Sequence, residues 1–254
     1  MKKNWKQDEI SFSSAKKFNE SPNHYIAHKR AVFEPSDAML RGQLVHALIL
    51  EPKTVVGKYA VFKGARRAGN EWKEFQAAAL VDQKTIVREK DMKECKIIAK
   101  NVLKHGLAKQ MIKNATNVEK LLKWTDPETG VKCKGFLDII GDGWFCDMKS
   151  GAERDPDKIS RNAYDQLLPL QFAMYWDAME QNGRPVHECF IIRFGMSEPF
   201  PVVIYEPTAA FMDYGRAIKR RLLESWKSWD GKPAGIEFHT GQGVQPLTIP
   251  RWAK

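Results

Sequence analysis

Hydrophobic and polar positions along this chain change period several times, and each change marks an element. Near the start, Ser11-Phe12-Ser13-Ser14-Ala15-Lys16-Lys17-Phe18 sets serines ahead of an apolar helical period, and Ser21-Pro22 opens a second such segment; both predict short, serine-capped helices. Ser36-Asp37 caps a third run, Ala38 to Leu50, apolar on nearly all sides and ended by Pro52, which predicts a deeply buried helix. Residues 63–73 mix basic residues with glycine and predict a loop. A lysine-rich amphipathic helix is predicted over 88–113, with Ile97, Ile98, Val102 and Leu103 toward the core. The period then shortens to two. Val118 to Trp124, Val131 to Gly141 and Trp144 to Ser150 predict three strands, turned at Asp126-Pro127-Glu128-Thr129-Gly130 and at Asp142-Gly143. A helix from about Pro169 to Gln181, two strands (186–194 and 200–206) and a helix over about 208–229 follow. The order predicts one α+β domain over 1–254: a mainly antiparallel central sheet flanked by helices (α/β/α), with a mostly helical part at 1–115, a core at 116–230 and a tail at 231–254.

The second hairpin carries the chemistry. Asp-Gly suits a two-residue type I′ turn. With Asp142-Gly143 as that turn, Gly141 pairs with Trp144, and counting outward sets Asp138 opposite Asp147 on one face, with Cβ atoms roughly 4.5–5.5 Å apart. Lys149, two residues on, points the same way. Phe136, Ile140 and Phe145 share this face; Leu137, Ile139, Cys146 and Met148 fill the other. Both faces are apolar, so the hairpin is expected inside the protein. Two opposed carboxylates there repel each other and lose hydration, so one must protonate or a cation must sit between them. A hard divalent ion with oxygen ligands, magnesium first, meets that need. A surface hairpin with incidental charges would need more polar neighbours than these.

Composition narrows the setting. Net charge is +10, from 41 Lys and Arg against 31 Asp and Glu, which favours a polyanionic partner. The four cysteines (Cys95, Cys133, Cys146, Cys189) form no CxxC pair, which speaks against structural zinc, an iron–sulfur cluster or a disulfide framework. No apolar run nears the roughly 20 residues of a membrane span, and no secretory signal opens the chain, so a cytoplasmic location is expected.

Asp138 followed by Asp147-Met148-Lys149 resembles the PD-(D/E)xK nuclease superfamily. Gln171 and Tyr175, on one helical face, look like the QxxxY element of its RecB-like branch. Gly42-Gln43-Leu44-Val45-His46-Ala47-Leu48-Ile49-Leu50-Glu51-Pro52 resembles a segment of RecE-type (exonuclease VIII-like) recombination exonucleases and their phage relatives. Residues 10–14, 21–25 and 129–135, and Pro250-Arg251-Trp252-Ala253, resemble the same group. Phe136-Leu137-Asp138 departs from it by lacking the Arg or Pro often found before the first aspartate.

The resemblance implies a magnesium-dependent deoxyribonuclease (manganese as substitute, no zinc or iron–sulfur cluster) that resects double-stranded DNA ends for recombination. His46, Asp138, Asp147 and the Met148 carbonyl would hold metal; Lys149, Gln171 and Tyr175 would act on water and phosphate. A homo-oligomeric ring and a single-strand annealing partner are implied likewise. Lys63, Arg66 and Arg67 are candidates to grip the DNA backbone, as are Arg216, Lys219, Arg220 and Arg221. Glu119 is read as a solvated strand charge, with an acid that supports the metal ligands from behind as the alternative. An endonuclease of the same fold and a non-catalytic DNA-binding module remain as alternatives.

Overall fold

The computed structural model describes residues 4–32, 34–151 and 155–233; the closing segment at 250–253 falls outside them. After a two-residue strand β1 (Ile10–Ser11), helices α1 (Phe12–Glu20) and α2 (Pro22–Arg30) begin where the serines foretold: Ser11 and Ser21 accept from the backbone N–H of Ser14 and His24. Helix α3 (Asp37–Leu50) is capped by Ser36, which accepts from Met39 N–H, and buries Leu44, Val45, Ala47, Ile49 and Leu50. Its first turns lie near the surface, so burial is confined to the second half. A short helix α4 (Val55–Lys58) then leads into a small parallel sheet of β2 (Tyr59–Phe62) and β3 (Thr85–Arg88), bridged by α5 (Gly69–Val81). That helix starts inside the segment expected to be loop, which shrinks to 63–68.

The long helix expected over 88–113 is two: α6 (Glu89–Lys104) and α7 (Gly106–Lys113). His105 adopts extended ψ between them, and its Nδ1 caps Ala108 N–H. Ile98 and Val102 are fully buried as expected, whereas Ile97 and Leu103 face outward. The amphipathic period was right, but its apolar stripe was drawn too wide.

The central sheet comprises β1, β4 (Asn117–Thr125), β5 (Lys132–Ile140), β6 (Trp144–Gly151), β7 (Glu188–Gly195) and β8 (Val202–Tyr205). Pairs β4–β5, β5–β6 and β7–β8 are antiparallel; β1–β5 and β6–β7 are parallel. Two helices connect β6 to β7, α8 (Pro156–Asp165) and α9 (Leu168–Glu180), and such a crossover is what a parallel pair requires. Helix α10 (Ala209–Ser228) ends the described part. Sheet and helices bury two apolar clusters. One holds Cys133, Leu137, Ile140 and Phe145 with Phe172, Met174 and Tyr175 of α9 and Trp226 of α10; the other holds Ile139, Cys146 and Met148 with Leu44, Val45 and Ala47 of α3 and Ile98 of α6. Helices thus cover both faces of the sheet, the layered α/β arrangement expected.

Candidate active site

The hairpin register is the expected one. Gly141 N–H donates to Trp144 O at 2.9 Å, and Ile140↔Phe145 and Ile139↔Cys146 follow. Its turn is not type I′, however: Gly143 has φ 76°, but Asp142 is not among the residues with positive φ, so only one central residue enters the left-handed region. Beyond Ile139↔Cys146 the two strands part. Continued pairing would give Met148 N–H to Leu137; instead Met148 N–H donates to Asp138 Oδ2 at 2.7 Å. Strand β1 takes the vacated edge of β5 at Cys133 and Lys134.

The alternation of faces also breaks here. Leu137 and Ile140 belong to one cluster and Ile139 to the other, although strict period two would put Leu137 with Ile139. Phe136, expected on an interior face, is 58% exposed. Opposite Asp138, Glu119 of β4 takes φ 46°, and the ladder skips from Val118↔Ile139 to Lys120↔Leu137. A non-glycine residue in the left-handed region beside a ladder gap is the kind of local irregularity that re-aims side chains at functional sites.

Three side chains converge on this gap. Single ligand atoms of His46, Glu119 and Asp138 all lie within 4.8 Å of one another. His46 Nδ1 is 3.7 Å from Glu119 Oε1 and 3.6 Å from Asp138 Oδ2. Glu119, weighed from sequence as a solvated charge, is therefore part of the group; only the fold, which sets β4 beside β5 under α3, could bring it there. At Gly42, one turn before His46 on α3, a Cβ would stand 3.4 Å from Ser150 Oγ, an ordinary contact, so close approach of α3 does not depend on glycine.

Asp147, 2% exposed, sits beside the trio. Its Oδ1 accepts from Gln171 Nε2 at 2.8 Å, and its Oδ2 forms an ion pair with Lys149 Nζ at 2.6 Å. Gln171 and Tyr175 come from successive turns of α9, whose Pro169 occupies the first turn. Gly135 makes room for Tyr175: a Cβ there would stand 2.8 Å from its Cε1.

The charges do not balance. Three carboxylates meet one ammonium and one imidazole. Burial, followed by the charge of Asp147, pushes the Asp138 carboxyl up to about 7 against the opposing pull of His46, Lys149 and Met148 N–H. Burial pulls His46 down, but Glu119, Asp138 and Asp147 outweigh it and the net shift is upward. Lys149 is likewise drawn down by burial and raised on balance by Asp147 and Asp138. Tyr175 is pushed far up, first by burial and then by the two aspartates, so its phenol stays a donor. One imidazole nitrogen and two clustered carboxylates, with the charge of Asp147 acting on both His46 and Asp138, suit a divalent cation. Such an ion would supply the positive charge that the chain does not.

Of the other candidates, Lys63, Arg66 and Arg67 lie exposed between β2 and α5, where Arg67 pairs with Asp37 at 3.4 Å and stacks over Trp72 at 5.6 Å. Among the α10 cations, Arg216 pairs with Asp213, Arg220 with Glu128 and Glu224, and Arg221 with Asn19. Lys219, grouped with them from sequence, is only 4% exposed and sits between Asp126 and Asp177. It is a core cation and cannot grip DNA.

Comparison with known proteins agrees with this geometry. The chain belongs to a family described as a PDDEXK-like domain of unknown function (DUF3799), whose pattern it matches over residues 11–232. A crystal structure of a protein named "putative exonuclease" from Eubacterium rectale is similar in fold, with a TM-score of 0.62 and 15% identity over 95% of this chain and 91% of that one. No curated protein matches the chain. Among the described residues, no helix is long and apolar enough to cross a membrane.

Proposed function

We propose that the protein is a divalent-metal-dependent deoxyribonuclease that resects double-stranded DNA ends, of the RecE-type recombination branch. The observation that carries the reading is the buried, undercompensated acidic group at the parting of β5 and β6, with Lys149 and Gln171 already bonded into it. His46, Glu119 and Asp138 would hold magnesium or manganese, and Asp147 and the Met148 carbonyl are the further donors at hand. When bound, the metal polarises a phosphodiester oxygen and acidifies a water.

The chain's own groups do the rest. Lys149, kept an ammonium by its aspartates, places positive charge where the phosphorane builds up negative charge. Gln171 fixes Asp147 in one rotamer. Tyr175, held protonated, donates toward a water or phosphate oxygen. The net charge of +10 draws the polyanion in. A homo-oligomeric ring with a single-strand annealing partner, in the bacterial or phage-infected cytoplasm, completes the proposal.

Digestion of end-labelled linear duplex beside covalently closed circular DNA, with magnesium and with manganese, tests it. Shortening of the linear DNA alone is expected. Cutting of the closed circle would replace the exonuclease with an endonuclease; metal-free DNA binding without hydrolysis by the wild type would leave only a binding module.

A further inference from the structure

We propose that the cavity on the far side of Lys149 receives one unstacked nucleobase from the end of the DNA strand being cut; this rests on the nuclease reading above and adds a site to it. The cavity measures about 300 Å³ and shares Lys149 and Ser150 with the end of β6. Its floor is Ile191 and Tyr205, cross-strand neighbours on β7 and β8, and its far wall is Phe211 of α10. Helix α8 roofs it with Ala163 and Tyr164. None of the residues of α8 is fully buried; Ala163 touches the edge of the core, and the helix leans over the gap beside it. Tyr164 stands edge-on to Phe211 at 6.2 Å and tilted to Tyr214 at 5.1 Å, leaving aromatic surface at the rim.

Cations outnumber anions in this space. Arg193 and Lys149, register neighbours on β7 and β6, line the cavity together, and Glu206 after β8 is the one carboxylate among its described lining residues. A Cβ on Gly151 would stand 2.2 Å from Arg193 Nη2, so the residue that ends β6 leaves the guanidinium its place. Cations at one end and aromatic and aliphatic walls at the other match a nucleotide: phosphate toward the metal, base in the pocket. The volume lies at the lower end of small-molecule sites and holds one nucleoside, not a base pair. An end must therefore fray before it is cut, and stacking on a protein aromatic offsets the lost base stacking.

The test measures binding in chelator, where nothing is cleaved. Single-stranded oligonucleotides carry 2-aminopurine at the 5′ end, the 3′ end or the middle, and matched strands carry an abasic residue at each place. Quenching is expected at one terminus only, and the abasic residue there should weaken binding roughly 5- to 150-fold, the range for one stacked base. Ser160→Trp, which fills the cavity from an exposed position of α8, and Tyr164→Ala should abolish that discrimination, with circular dichroism confirming the fold. Equal affinity for abasic and intact termini, or variants that discriminate as the wild type does, would overturn the proposal. Quenching without hydrolysis under any metal would sink the nuclease reading and keep the base pocket. Hydrolysis with indifference to terminal bases would do the reverse.

Discussion

Two buried acidic clusters in this protein solve the same electrostatic problem in opposite ways. At the far end of the β4–β5 hairpin, Asp126 and Asp177 share Lys219, 3.2 Å from Asp126 Oδ2 and in direct contact with Asp177. Asp126 also accepts from Thr129 N–H and Oγ1 at 2.8 and 2.7 Å. The cation comes from the chain, and burial is tolerated because the partner is built in. At the parting of β5 and β6, by contrast, three acids, Glu119, Asp138 and Asp147, share Lys149 and His46 among the described residues, and Asp147 Oδ2, like Asp126 Oδ2, meets a lysine without a hydrogen bond. The first cluster ties helices to a hairpin; the second offers His46, Glu119 and Asp138, half-buried and within 4.8 Å of one another, to an ion. The contrast separates scaffold from site without appeal to relatives.

Substitutions can break that contrast, and the largest effects are expected in catalysis. Asp147→Ala should reduce DNA hydrolysis to background, and Lys149→Ala should lower it on the order of 10²–10³-fold; Lys149→Arg should not rescue, because the planar guanidinium cannot replace a compact ammonium. Asp147→Ala, which removes one of the crowded carboxylates, should keep the wild-type melting temperature within a few degrees. Lys219→Met should do the opposite, leaving two buried carboxylates uncompensated at a cost of about 3–5 kcal/mol. Thermal melts would show the loss, and adding Asp126→Asn and Asp177→Asn should recover most of it. A full-strength melt for Lys219→Met alone would refute the scaffold role.

The pH dependence of metal-free protein should sharpen the comparison. Asp138 titrates higher folded than unfolded, so its carboxylate costs stability increasingly as pH rises from about 4 to about 7. Asp138→Asn, which retains an acceptor for Met148 N–H, should therefore match the wild type near pH 4 and exceed it at pH 8 by up to about 4 kcal/mol. Asp126 has the reverse sign. Burial raises it, but Thr129 and Lys219 outweigh burial and hold it low, so its contribution is present above about pH 4 and lost on acidification. Equal pH profiles for Asp138→Asn and wild type would remove the case for a cation-hungry group.

Smaller effects bear on the ligand set. Glu119→Gln should weaken manganese binding roughly 10–100-fold, read by the metal-induced rise in melting temperature. Gly42→Ala should change neither metal affinity nor melting temperature measurably, because the added methyl meets only Ser150 at ordinary distance.

Much of this molecule was legible before its fold. Serine caps at Ser11, Ser21 and Ser36 set three helix starts, because a cap is chemistry within four residues. The hairpin register as far as Ile139↔Cys146 was legible for the same reason, since it depends on counting outward from Asp142-Gly143, but the strands part before Asp138 would pair with Asp147. Asp138, Asp147, Lys149 and the Gln171–Tyr175 face were readable as one group through the resemblance of their motifs, not through that pairing.

Tertiary structure decided everything that depends on distant segments. It brought Glu119 into the site through a left-handed backbone angle opposite Asp138, sent Lys219 into the core, set β6 parallel to β7 and leaned α8 over a cavity. Nothing in the local pattern distinguishes Glu119 from a solvated strand charge, or Lys219 from its exposed neighbours on α10. A side chain's charge is written in the sequence, but its solvation and its partners are set by whichever elements pack around it.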